Sequence, residues 1–214
     1  MVELNSPEAY GCLNRDYYPV ISKITGTYYL TLDNRVYAYE EKEKADLKSA
    51  ELAEAETGIS FKLTSRTKAN IISGIYAMGC DRLILVKKNE DPVEINLSDK
   101  TVRQQFYNRS ATRTLILFAE TKEKSYLVEL AKQKFVIPCR VDENQFVFPD
   151  IVYNGEKMFP AYTDNMDIEG YDSLTVKFGR LLEISNGRKA IINPGKLGMV
   201  ITDNIADFMA KSAI

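Results

Sequence analysis

Two groups of carboxylates carry the residue types needed for acid–base work: Asp164, Asp167 and Glu169, and Asp203 with Asp207. Such catalysis needs one carboxyl whose surroundings lift its pKa while a neighbour stays ionised. Both groups instead stand where helices are expected to begin, the position at which aspartate offsets unpaired backbone N–H groups. Neither is read as catalytic. The chain contains no histidine, which removes Ser-His-Asp and Cys-His catalysis and imidazole proton transfer together. Cys12, Cys80 and Cys139 are odd in number and widely spaced, neither a disulfide framework nor a metal-ligand pattern. Cys80 and Cys139 have apolar neighbours and read as small buried hydrophobes. No Walker sequence or GxGxxG appears, and no run of oxygen ligands has calcium-loop spacing. The expectation is no catalytic residue, no metal and no cofactor.

Binding chemistry has better candidates. The tripeptide Asn193-Pro194-Gly195 joins two short apolar runs. Asn bonds its own backbone, Pro fixes φ and Gly accepts positive φ, which is enough to make a turn. The same tripeptide also suits a surface loop that meets a ligand or partner beside Tyr162, Thr163 and Asp164. Tyr37 and Tyr39 fall on one face of a strand by alternation. Thirteen tyrosines against no tryptophan favour a recognition surface, because tyrosine buries area while keeping a polar handle.

These side chains need a scaffold, and composition says what kind. With 214 residues, 45% hydrophobic and 27% charged, the chain has the balance of a globular protein able to bury a core without metal or disulfides. A formal charge of −2 supplies no basic face for a nucleic-acid backbone. The charge alternations at 39–48 and 119–128 read as solvated helix faces. The first residues lack the basic-then-apolar order of a signal peptide. No apolar run reaches the length of a membrane helix, so a cytoplasmic location is expected.

Periodicity predicts a hairpin over 27–39 turning at Asp33-Asn34, then a helix over 40–56 with Ala45, Leu47, Leu52 and Ala55 as its apolar stripe, ending near Gly58. A strand at 59–63, a helix over 64–80 stopped by Gly79, strands at 82–88 and 93–97 and a helix over 98–108 follow. The second half reads as a strand at 112–120, a helix over 121–134, and a strand at 135–141 in which Pro138 needs an edge or bulge. A strand and hairpin around Asn154-Gly155 come next, then a helical turn near 165–171, a strand at 174–178 and a helix over 179–185. Strands at 189–193 and 199–201 and a last helix from 203 complete it.

The halves match in order. "YYLTLDNRVYAY" (28–39) sits without gaps on "IVYNGEKMFPAY" (151–162), "ISFKL" (59–63) on "LTVKF" (174–178), "RLILV" (82–86) on "KAIIN" (189–193), and "LSD" (97–99) on "ITD" (201–203). Two related lobes, 1–110 and 111–214, are expected. The fold class is α/β or α+β, with mixed sheet layers covered by helices.

The stretch 102–211 resembles the N-terminal domain of the SseB-like family. The resemblance is carried by "FVIPCRV", the hairpin ending in Phe159-Pro160-Ala161-Tyr162-Thr163, "VKFGRLLEIS", and Asn193-Pro194-Gly195 before the last strand. It implies the fold and no particular reaction. The first half shares the pattern only through the repeat: Val36-Tyr37-Ala38-Tyr39-Glu40 has no proline, and Val86-Lys87-Lys88 stands where Asn-Pro-Gly is expected. The function expected is a protein–protein interaction or adaptor module rather than an enzyme, with another protein as partner and no nucleic acid or membrane involved. The alternative is an enzyme or small-ligand binder using a groove between the lobes. The oligomeric state is left open.

Overall fold

The computed structural model describes residues 1–3, 6–13, 15–22, 24–55, 61–63, 74–97, 108–165, 168, 170–195 and 197–212. Residues 64–73 of the helix expected over 64–80, residues 98–107 of the helix expected over 98–108, the helix end at Gly58, and positions 166, 167 and 169 of the expected helical turn lie outside those residues. The chain is a mixed α/β protein in two compact units, Met1–Thr101 and Val102–Ile214.

The first unit contains β1 (Val2–Glu3), α1 (Pro7–Leu13), β2 (Tyr18–Ser22), β3 (Arg35–Tyr39), α2 (Lys42–Ala55), β4 (Phe61–Leu63), β5 (Arg82–Val86) and β6 (Val93–Asn96). They form one sheet in the order β1-β6-β5-β3-β2-β4. β3 and β5 are parallel, Val36 opposite Leu83 and Ala38 opposite Leu85, and the connection that parallel pairing demands contains α2. Leu83, Ile84 and Leu85 are all buried, as befits a strand covered on both faces.

The expected hairpin over 27–39 does not form. Its turn exists: Asn34 has φ 64°, its N–H donates to the Thr31 carbonyl at 2.9 Å, and the Thr31 N–H donates to the Arg35 carbonyl at 3.0 Å. Past the turn, however, Tyr28 bridges Ile21 and the Tyr29 N–H donates to the Val20 carbonyl at 2.9 Å. The first arm thus pairs with β2, and the second pairs with β5 and the start of β2. Tyr28, Tyr29 and Leu30 are all buried there, which a two-stranded ribbon does not provide. α2 buries Ala45 and Leu52 against Val20, Tyr29 and Tyr39. Leu47, expected in the same stripe, is 72% exposed, because two residues turn a helix about 200°.

The second unit begins with α3 (Arg109–Thr121) and α4 (Lys124–Ala131), followed by β7 (Lys134–Asp142), β8 (Gln145–Val147), β9 (Ile151–Tyr153), β10 (Glu156–Ala161), β11 (Asp172–Lys177), α5 (Phe178–Ser185), β12 (Ala190–Ile192), β13 (Met199–Ile201) and α6 (Asp203–Ser212). The strand expected at 112–120 is α3. Its β-branched residues suggested extension, but the Asn108 side chain accepts from the Ala111 N–H at 3.0 Å and caps a helix. Ala111 and Leu115 are buried, with Phe118 packed beside them, a spacing of 4 and 3 that a strand cannot put on one face. The Thr114 and Thr121 hydroxyls donate to carbonyls four residues back.

β13-β12-β10-β9 form one sheet and β11-β7-β8 another, joined by a bridge between Val136 and Tyr162. The hairpin expected at Asn154-Gly155 is present, with φ 50° and 81° at those residues, the paired positive values of a type I′ turn. Glu143 and Asn144, at 46° and 65°, make a second such turn between β7 and β8. The core is one cluster built from Leu115, Leu130, Phe135, Ile137, Phe159, Phe178 and Ile192, closed by Met209 of α6.

Candidate functional site

The parallel strands β10 and β12 end side by side, Ala161 opposite Ile192, and bring Thr163 and Asn193 together. The Asn193 Oδ1 accepts from the Thr163 N–H at 2.8 Å, and its Nδ2 donates to the Thr163 Oγ1 at 2.9 Å. Thr112 of α3 donates its hydroxyl to the same Thr163 oxygen at 2.6 Å, and the Asn108 N–H donates to the Thr163 carbonyl at 2.7 Å. Thr163, Asp164 and Asn193 are all buried. Asn193, at φ 52°, is a latch across the strand ends. Pro194 is half-buried, and Gly195 is exposed with φ 83°.

The corresponding strand ends of the first unit carry an ionic version of this latch. The Glu40 carboxylate, beyond β3, accepts from the Lys88 N–H at 2.6 Å and from Arg15 at 2.8 Å, and Arg15 also reaches Glu90 at 3.3 Å. Burial alone would push the Glu40 carboxyl up. The Lys88 amide and the Arg15 guanidinium outweigh it and hold the carboxyl below its ordinary range. Tyr37 and Tyr39 stack at 6.5 Å between ring centres. Tyr39 is buried in the core, where burial pushes its hydroxyl pKa up. Tyr37 is half-buried, with the Lys48 ammonium 5.1 Å above its ring.

Tyr162 leads to a feature that residue-by-residue reading missed. Its N–H and carbonyl both bond Val136, at 2.8 Å each. The next pair in that ladder is Pro138 with Pro160. Extending the β7–β8 register (Arg140 opposite Val147) sets Pro138 against Pro149, and extending the β9–β10 register (Met158 opposite Ile151) sets Pro149 against Pro160. Three prolines therefore meet where three ladders converge, and none has an N–H to continue them. This is why the sheet of the second unit splits, and why Pro138 is tolerated in a paired strand. All three prolines line one open pocket with Asp150, Ile151, Tyr162 and Tyr171. The signal in the sequence was three prolines at equal spacing; only the strand register gives it meaning.

Beside the pocket, β7 and β8 run out as an arm in which residues 140–147 are all exposed. Val141 and Phe146, paired across the arm, are 59% and 55% exposed, and Val147 is 50% exposed. Phe146 stacks on Phe148 at 6.3 Å, and Phe148 meets core Phe159 at 6.0 Å. The apolar face of the core thus continues into solvent. On the opposite face of the arm the Arg140 guanidinium lies 4.3 Å above the Tyr171 ring.

Asp203 lies in the first turn of α6 and both Asp203 and Asp207 are exposed; Asp167 and Glu169 lie outside the described residues. Cys12, Cys80 and Cys139 are buried, and burial, with Asp172 adding to it, pushes the Cys139 thiol pKa up. Among the described residues no group of three His, Cys, Asp or Glu is placed to hold a metal ion, and no helix is long and apolar enough to cross a membrane. No family model matches the chain, and no curated protein matches it. Among solved structures, Anabaena Tic22 (protein transport) is similar at 12% identity over 94% of each chain with a TM-score of 0.24, a likeness too loose to bear on fold or activity.

Proposed function

We propose that this protein is a non-enzymatic interaction module and that the β7–β8 arm of the second unit is its contact surface. The observation that carries the reading is the exposure of Val141, Phe146 and Val147 on one uncovered arm. Scattered apolar residues on a surface are ordinary; a run on both faces of a projecting hairpin is a surface waiting for cover. β8 is also an edge strand, able to accept another strand. The test is capture from an extract of the source cell, with wild type beside the Phe146→Ser/Val147→Thr double variant. A partner held by wild type and reduced at least tenfold in the variant, at unchanged melting temperature, is the expected result. Equal capture by both overturns the assignment.

The two units are read as copies of one SseB-like element, working in the cytoplasm. Strand order and sense support the duplication: β6-β5-β3-β2-β4 runs antiparallel, parallel, antiparallel, antiparallel, and so does β13-β12-β10-β7-β11 with the Tyr162–Val136 bridge as its third link. Register supports it further. The sequence match carries Val36–Leu83, Tyr37–Ile84 and Ala38–Leu85 onto Phe159–Ala190, Pro160–Ile191 and Ala161–Ile192, and those are the pairs formed.

A further inference from the structure

We infer that the three-proline junction of the second unit seats a basic side chain, arginine or lysine, presented by an extended segment of a partner protein. This inference rests on the interaction reading above and names the chemistry of the partner. In a strand, the N–H and carbonyl of one residue point to the same side, and every second residue repeats that side. Since Val136 and Tyr162 exchange both of their bonds, Pro138 and Pro160 turn their carbonyls into the gap between β7 and β10, and neither brings an N–H with it. The main-chain groups these two positions offer are acceptors only.

The side chains at the rim extend the same preference. Asp150 gives one carboxylate oxygen to Arg188 at 2.8 Å; its other oxygen has no partner among the described residues. The Tyr171 ring already holds a guanidinium, that of Arg140, so one of its faces is suited to a cation. On the arm and its neighbouring strand, exposed Asp142, Glu143 and Asp172 outnumber Arg140 and Lys177. The two proline carbonyls and the Asp150 carboxylate offer an anion no donor. A guanidinium or ammonium, which donates and never accepts, suits these acceptors. The walls of the gap are strands and its mouth adjoins the β8 edge, so the segment that delivers the cation is extended rather than helical.

The experiment offers the immobilised full chain an equimolar mixture of two pools of heptapeptides, random except for a central arginine in one and its uncharged isostere citrulline in the other. Retained peptides are counted by mass spectrometry for wild type, Asp150→Asn, Tyr171→Leu and Phe146→Ser, each checked for an unchanged melting temperature. The expected result is a preference for arginine of about tenfold on wild type, near parity on Asp150→Asn and a reduced preference on Tyr171→Leu. Parity on wild type, or an undiminished preference on Asp150→Asn, overturns the inference. Peptides retained without arginine preference but lost with Phe146→Ser overturn it while leaving the arm as an interaction surface. Retention of neither pool also overturns it, and the extract capture then decides the broader reading by itself.

Discussion

Asn193 holds two constraints in one residue. Its backbone sits at φ 52°, a region asparagine enters more readily than most side chains, and its amide bonds both the N–H and the hydroxyl of buried Thr163. Asn193→Ala removes the bonds and keeps the unfavourable φ, so it is expected to cost about 2–4 kcal/mol in urea unfolding. Asn193→Gly removes the bonds but relieves φ, and should cost about 1 kcal/mol less; equal losses would show that backbone conformation contributes nothing here. Glu40 gives a pH signature. Because its carboxyl is held below its unfolded value, its contribution is present above that unfolded value, about 4.3, and disappears as pH falls through the lower folded one. Wild type should therefore lose more stability than Glu40→Gln between about pH 5 and pH 3; parallel pH profiles would contradict the latch. Thr163 and Asn193 were legible in the sequence as special residues. Their joint role was not, because the partner of each lies on another strand and no local pattern records a tertiary hydrogen bond.

Elements were legible where a local signal matched the tertiary outcome. Asn154-Gly155 fixes its own hairpin through two positive φ values, and α5, β12, β13 and α6 follow from periodicity. The misreadings have physical causes. The threonine- and isoleucine-rich 112–120 looks like a strand until Asn108 is recognised as a cap, and 27–39 looks like a hairpin until β2 takes its first arm. Gly74, which weakens a helix on propensity alone, has a packing reason: a Cβ there would lie 2.7 Å from the Tyr28 ring. Gly74→Ala is expected to cost about 1–3 kcal/mol, and the cost should shrink when Tyr28→Leu removes the ring; an unchanged cost would assign the effect elsewhere. The proline junction gives a second prediction at this scale. With Pro138→Val and Pro160→Val together, the β7–β10 ladder gains two N–H donors and should lengthen. Amide hydrogen exchange should then show slowed exchange at positions 138 and 160, whereas fast exchange at both would mean that something other than the prolines holds the sheet open.

At the scale of the whole chain, two units carry the same succession of strand senses, yet among the described residues it is the second that ends its arm in exposed phenylalanine and valine. In the first unit the segment after β2 turns back as Tyr28, Tyr29 and Leu30, all buried; in the second, the segment after β7 turns back as Gln145, Phe146 and Val147, all exposed. The segment that returns along the preceding strand is core in one unit and open surface in the other. Composition, the absence of histidine and the lack of a ligand motif make contact rather than catalysis the expectation from sequence. The sequence directed attention to Tyr37 and Tyr39, of which Tyr39 is buried and Tyr37 half-buried, whereas the arm proposed above as the contact surface carries no comparable local signal. The most direct measurement puts photoreactive benzoyl-phenylalanine in place of Phe146 in the full chain within its own cells, with the same substitution of Tyr37 as comparison. The interaction account predicts a discrete cross-linked adduct with another protein from position 146 and none from position 37. Adducts from position 37 alone, or from neither position, would contradict it.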